Sequence, residues 1–242
     1  MGELPVFPLA PAPFTGVCRR AEAGACFDWL RQGWALFAAY PATWLGSTLL
    51  ALVMWLALWI VPLVGGLVAT LLFPVMLAGF LQMCRRQCEG QEPRLADLFA
   101  GFSKNHSALV LIGVALTVAI QVIGLLAGWL ARAGVSGPLD AGSFIGASAR
   151  GLLVVLPLSV PVLMALWFAP VLAFFHDLPA TAALKASFSA CATNWLPFAV
   201  YGLILMVLTF FAALPVMLGF LLLIPVLSGA LYASYRDIFP AA

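Results

Sequence analysis

Charge is what this chain has least of. Acidic and basic residues fill 8% of its 242 positions, where a soluble domain carries about one quarter. None occurs from 32 to 84, 105 to 131, 151 to 176 or 186 to 235. With 64% of residues apolar, no soluble core of this size hides so much apolar surface, and a water-soluble globule is excluded. The lack of ionisable groups in these stretches also argues against transport coupled to protons or ions through charged residues, which needs a counter-charge or relay at mid-membrane. Catalytic signatures are missing too: there is no G-x-S-x-G, no glycine-rich phosphate loop and no H-E-x-x-H. The acid nearest His176 is its neighbour Asp177, which cannot easily fold back onto the same ring. The first residues, with Pro5, Pro8, Pro11 and Pro13, lack the basic and apolar regions of a secretory signal, so the first spanning helix is expected to direct insertion. Formal net charge is only +2, and the basic residues are interleaved with Glu22, Asp28, Glu89, Glu92 and Asp97, so no nucleic-acid partner is expected.

What is present is length. A spanning helix needs about 20 residues, so the first and last uncharged stretches each hold a two-helix hairpin and the middle two hold one helix each. We place six spans at 44–61, 67–84, 106–131, 151–176, 195–213 and 217–235. Of the 11 basic residues, Arg19, Arg20, Arg31, Arg85, Arg86, Arg94, Lys104, Lys185 and Arg236 fall on the side of both termini, and only Arg132 and Arg150 on the other. That asymmetry places both termini in the cytoplasm. Cys18, Cys26, Cys84, Cys88 and Cys191 all fall on the cytoplasmic side, so no disulfide is expected. Trp44 and Trp195 open spans on the inner face, and Trp59 and Trp129 close them on the outer, as interfacial belts; Trp55 and Trp167 sit deeper, as packing residues.

One cassette recurs three times: Pro74-Val75 before Ala78-Gly79, Pro161-Val162 before Ala165, and Pro225-Val226 before Gly229-Ala230. Each marks the second helix of a hairpin. Before each hairpin lies a short, mildly amphipathic segment suited to the membrane interface: Ala23 to Tyr40, Leu95 to Lys104, and Thr181 to Thr193, with Thr181 as N-cap. Pro41, Asn105 and Asn194 then open the first span of each unit. The chain is therefore read as all-α, a polytopic membrane helical bundle in which six transmembrane helices form three parallel two-helix repeats plus short interfacial helices. Its divisions are a proline-rich cytoplasmic leader, 1–20, and a single membrane domain, 21–242, with repeats at 21–92, 93–178 and 179–242. Proline followed by small residues lets helices kink and approach closely, so the cassette reads as a packing device. The middle unit is longest, through its spans and the Gly/Ser/Pro-rich connection from Ala133 to Ala149, and is expected to project into the periplasm.

Where the repeats differ is where function is sought. In the fourth span Pro157, Pro161 and Pro170 free the carbonyls of Leu153, Pro157 and Leu166, and Ser159 lies close by; such a helix can line a cavity or act as a hinge. Gln121, near mid-membrane, is the costliest polar residue to leave unpaired and is expected to meet a partner across the bundle. Thr70, four residues before Pro74, marks a kink. The remaining intramembrane hydroxyls are expected to bond backbone carbonyls or neighbouring helices. Cys84, Cys88, His106, His176 and Cys191 lie near one membrane face, but C-x-x-x-C is a weak metal signal. No cofactor or metal is expected.

Several runs together resemble a known family: Gly33-Trp34-x-Leu36-Phe37-x-x-x-Pro41-x-x-Trp44, Phe73-Pro74-Val75-x-x-Ala78-Gly79, Trp167-Phe168-Ala169-Pro170, Lys185-Ala186-Ser187-Phe188, Asn194-x-x-Pro197-Phe198 and Tyr232-Ala233-Ser234-Tyr235-Arg236-Asp237. They resemble an uncharacterised six-span inner-membrane family of proteobacteria, known as "transmembrane protein". More loosely, the repeat style is similar to the membrane domain fused to some glycerophosphodiester phosphodiesterases. The resemblance implies place and fold, a multi-pass protein of the bacterial inner membrane, and brings no active-site residues. The function expected is non-enzymatic: a binding, scaffold or accessory component of the membrane. The alternative is a transporter or channel for a small apolar or zwitterionic solute or lipid. The partners expected are the lipid bilayer and, as candidates, other membrane proteins or a second copy.

Overall fold

The computed structural model describes residues 18–62, 64–133 and 141–239. Among them there is no strand, and six helices are long and apolar enough to cross a membrane: Pro41–Trp59, Gly65–Cys88, His106–Arg132, Gly151–His176, Trp195–Ala213 and Phe220–Ile238. The protein is an all-α polytopic membrane bundle, and its spans fall within a few residues of those predicted. In chain order the elements are α1 (Ala25–Ala39), α2 (Pro41–Trp59), α3 (Gly65–Cys88), the 3-10 segment η1 (Leu95–Phe102), α4 (His106–Arg132), α5 (Ala141–Trp167), α6 (Ala169–His176), α7 (Ala180–Thr193), α8 (Trp195–Ala213) and α9 (Phe220–Ile238).

The short elements α1, η1 and α7 sit where the sequence predicts interfacial segments. We call the end that carries them the basal end. Each packs on the cassette-bearing helix of a different hairpin: α1 on α9, η1 on α3, and α7 on α5 and α6. α1 buries Cys26, Trp29, Gly33, Leu36 and Phe37, a helical stripe, and leaves Phe27 and Trp34 exposed. Small residues make these contacts close. A Cβ added at Gly33 would land on the carbonyl of Val226, one at Gly101 on the carbonyl of Val75, and one at Gly79 on the carbonyl of Leu98. Val75 and Val226 are the valines of the cassettes. Backbone thus rests on backbone.

The core lies in the basal half, where α3, α6 and α9 meet. Every residue of α6 from Ala169 to Phe175 is buried, and the Phe175 ring stands 5.8 Å from Tyr232 and 5.9 Å from Tyr235, with the Arg85 guanidinium 5.6 Å over it. α2, α4, α5 and α8 lie outside and expose leucine, valine and phenylalanine, as helices facing hydrocarbon do. Trp59, Trp129 and Trp195 are exposed, in keeping with an interfacial belt. Trp44 is not a belt residue: it is fully buried, stacked on Phe80, and its Nε1–H donates to Gln87 Oε1 at 3.2 Å. The Gln87 amide in turn donates to the Leu36 carbonyl at 3.0 Å. Trp55 also differs, facing outward and pairing with Trp59 at 5.6 Å.

The connection expected from Ala133 to Ala149 is shorter than predicted. Residues 134–140 lie outside the described residues, but α5 already begins at Ala141. Alanine favours helix, and at Gly151 a Cβ would meet the Ala127 carbonyl at 3.7 Å, so α4 and α5 run close together there. Both have 27 residues, about 40 Å at 1.5 Å per residue, against 19 for α2 and α8. The N-cap of α7 is Pro179 rather than Thr181. Arg19, inside the segment read as a leader, is tied down: its N–H donates to the Ile238 carbonyl at 2.8 Å and its guanidinium pairs with Asp237 at 3.6 Å.

Candidate functional site

The fourth span is the only one of the six assembled from two helices, α5 and α6, among the described residues. Its break is at Phe168, not at Pro157 or Pro161. Those two prolines lie on the continuous helix α5 and face outward, and Ser159 between them is half-buried. Pro170 is buried in the first turn of α6. Having no N–H, it leaves the Leu166 carbonyl without its helical donor. A second cause comes from α7. The Ser187 hydroxyl donates to the Met164 carbonyl at 2.7 Å and accepts from the Phe168 N–H at 2.9 Å. Those two groups would bond each other in an unbroken helix, so Ser187 is inserted into the ladder and satisfies both halves.

The break sets Trp167 and Phe168 against the basal ends of α8 and α1. Trp167 stands 5.6 Å from Tyr201 and 6.0 Å from Phe198, both edge-on. Phe168 is 5.6 Å from Phe198 and 5.5 Å from Phe239. Trp29 of α1 closes the group at 5.5 Å from Phe198 and 6.1 Å from Tyr201. The Trp29 indole N–H donates to Asp237 at 3.0 Å. Trp167 Nε1 and the Tyr201 hydroxyl are different: both atoms are buried and neither has a hydrogen-bond partner among the described residues. Tyr201 is 2% exposed. An unmet buried donor costs about 1–3 kcal/mol, and here two fall on rings in edge-on contact.

Above Trp167 the same face of α5 carries Leu153, Leu156, Val160 and Leu163, all exposed. The 3-4-3-4 spacing puts them in line with Trp167. α8 packs on α1, α7 and α9 and meets α5 at the Trp167 rings. The arrangement is an outward-facing apolar stripe in line with Trp167, beneath which two unpaired polar atoms are buried.

Gln121 is not part of this group. It lies exposed on α4, and no described residue hydrogen-bonds it, so the partner expected across the bundle is not there. Gly124 and Gly128, on the same side, likewise meet nothing within 4 Å among the described residues. Pro157, Ser159, Pro161, Pro170 and Gln121 are therefore not gathered into one cavity. Ser187, Tyr201 and Trp29 were missed. Ser187 carried one usable signal: it precedes the N-cap Asn194 by seven positions, as Gly33 precedes Tyr40.

At the basal end His176 Nε2 lies 2.7 Å from the Tyr235 hydroxyl, Lys104 pairs with Asp177 at 3.3 Å, and Arg86 pairs with Asp97 at 3.3 Å. Asn105, in the left-handed conformation, donates from Nδ2 to the Ala173 carbonyl at 2.8 Å and ties α4 to α6. No three His, Cys, Asp or Glu side chains converge among the described residues. The Cys191 thiol is pushed up to about 12, chiefly by burial.

Comparison with known proteins adds place. The chain is 29% identical over 221 residues to a probable inner membrane protein of Burkholderia thailandensis, a match covering 86% of this chain and 80% of that one. No protein-family model matches the chain. No solved structure matches it. With its six apolar helices, the chain is a multi-pass inner-membrane protein.

Proposed function

We propose that this protein is a non-catalytic component of the inner membrane that works by binding, with both termini in the cytoplasm and three copies of one hairpin unit closing on each other through α1, η1 and α7. One observation carries the binding reading. Four hydroxyls within the spans are spent on their own helices: Thr48 donates to the Trp44 carbonyl, Thr70 to Gly66, Thr117 to Gly113 and Ser228 to Ile224, each at 2.8 Å. Groups so engaged are not arranged along a polar path. Close backbone contacts at Gly33, Gly79, Gly101 and Gly113 support the same reading, since they leave little between the basal helices. The alternative, a conduit for a small apolar or zwitterionic solute, draws on the broken fourth span. Orientation rests on nine basic residues against two. The membrane partners of such a protein are lipids, other membrane proteins or a second copy. Gentle extraction followed by mass spectrometry, beside uptake assays in reconstituted vesicles, separates the two readings. Copurifying protein or lipid without uptake is expected; uptake with nothing retained would reverse the ranking.

A further inference from the structure

We infer that Trp167 and Tyr201 are the polar end of an intramembrane site for a neutral lipid bearing carbonyl groups below the headgroup layer, of the isoprenoid quinone class. This rests on the binding reading and says what is bound and where. Three observations select the ligand. Trp167 Nε1 and the Tyr201 hydroxyl are buried donors with no partner among the described residues, and an indole N–H can only donate, so the guest must bring acceptor oxygen. The guest must also be neutral: Lys, Arg, Asp and Glu are absent from 151 to 176 and from 186 to 235, so no countercharge comes from α6, α8 or α5 beyond Arg150, and the acid in the group, Asp237, is taken by Trp29 and Arg19. Depth is the third. Tyr201 is six residues into α8 and Trp167 nine residues before His176, about 9 and 13 Å from the basal ends at 1.5 Å per residue. That lies inside a hydrocarbon core about 30 Å thick. Ester carbonyls at the headgroup boundary do not reach it, whereas the carbonyls of a quinone ring do. The exposed stripe Leu163, Val160, Leu156 and Leu153 then gives a single branched apolar chain a track away from the ring. Trp167, Tyr201 and Phe198 supply aromatic edges and faces beside it.

The full-length protein, extracted gently, is analysed for retained quinone. Delipidated protein is titrated with a ubiquinone analogue bearing a ten-carbon chain, and in parallel with diacylglycerol. The variants Trp167→Phe and Tyr201→Phe keep the aromatic body and remove one donor each. Wild type is expected to retain quinone and to bind the analogue, and each variant to bind it about fivefold to tenfold more weakly, the loss of one hydrogen bond. Without ligand, both variants are expected to melt no lower than wild type, because they delete an unsatisfied buried group; a purely structural role for either donor would lower the melting temperature. Equal binding by wild type and both variants overturns the inference. So does retention of diacylglycerol in place of quinone, which leaves the broader binding reading standing. Solute uptake by reconstituted protein would instead strike that broader reading.

Discussion

Gly33 shows how much one missing methyl decides. The α1 backbone rests on Val226 and Ala230 of α9 there, so Gly33→Ala drives a Cβ into a carbonyl and a backbone nitrogen. Overpacking of this kind costs about 1–3 kcal/mol. Gly24→Ala, where no described residue lies within 4 Å, is the control. Thermal unfolding in detergent should show a clear drop for Gly33→Ala and none for Gly24→Ala. Cys191 is a second residue-scale test. Its thiol titrates near 12 when folded and near the ordinary 9.0 when unfolded, so folding favours the neutral form. That stabilisation is fully present below about pH 9 and is lost between pH 9 and 12. A maleimide at neutral pH should leave Cys191 unmodified until the protein unfolds. Some of this was legible in the sequence: the cassettes named Val75, Gly79, Val226 and Gly229 as packing positions. Trp44 was misread as a belt residue because its partner, Gln87, lies 43 positions away, beyond what a local pattern reports.

Among the elements, the fourth span is the most informative. Three prolines pointed to distortion, and Pro170 does lie at the break. Pro157 and Pro161 do not, because a proline on an outward-facing helical surface can be carried without ending the helix. The deciding residue was Ser187, on another helix, and beyond its register with Gly33 nothing local distinguishes it from Ser189 as the serine that enters a neighbour's hydrogen-bond ladder. Ser187→Ala leaves the Met164 carbonyl and the Phe168 N–H without their bridge, and should cost about 1–3 kcal/mol, read as a lower melting temperature. A break that persists at Phe168 with unchanged stability would show that Pro170 alone sets it. Helix existence and length were readable from charge-free runs alone. The start of α5 was not, since Ala, Gly and Ser between 141 and 149 suit a loop and a tightly packed helix alike.

At the scale of the whole molecule, three short elements each clamp the cassette helix of a different hairpin, α1 on α9, η1 on α3 and α7 on α5 and α6. That order closes the chain on itself, the first unit against the last, and it agrees with the ties from Arg19 and Ala21 to α9 and Asn194. The central claim is that three hairpins cross the bilayer in one orientation, with the basal end in the cytoplasm. Substituted-cysteine labelling tests it most directly. With the five native cysteines replaced, single cysteines at Val61, Ala133 and Val216 should react with a membrane-impermeant maleimide in spheroplasts. Cysteines at Glu22, Gln91 and Thr181 should react only after the membrane is opened. Labelling of any of the second three in sealed spheroplasts, or protection of any of the first three, would contradict the account.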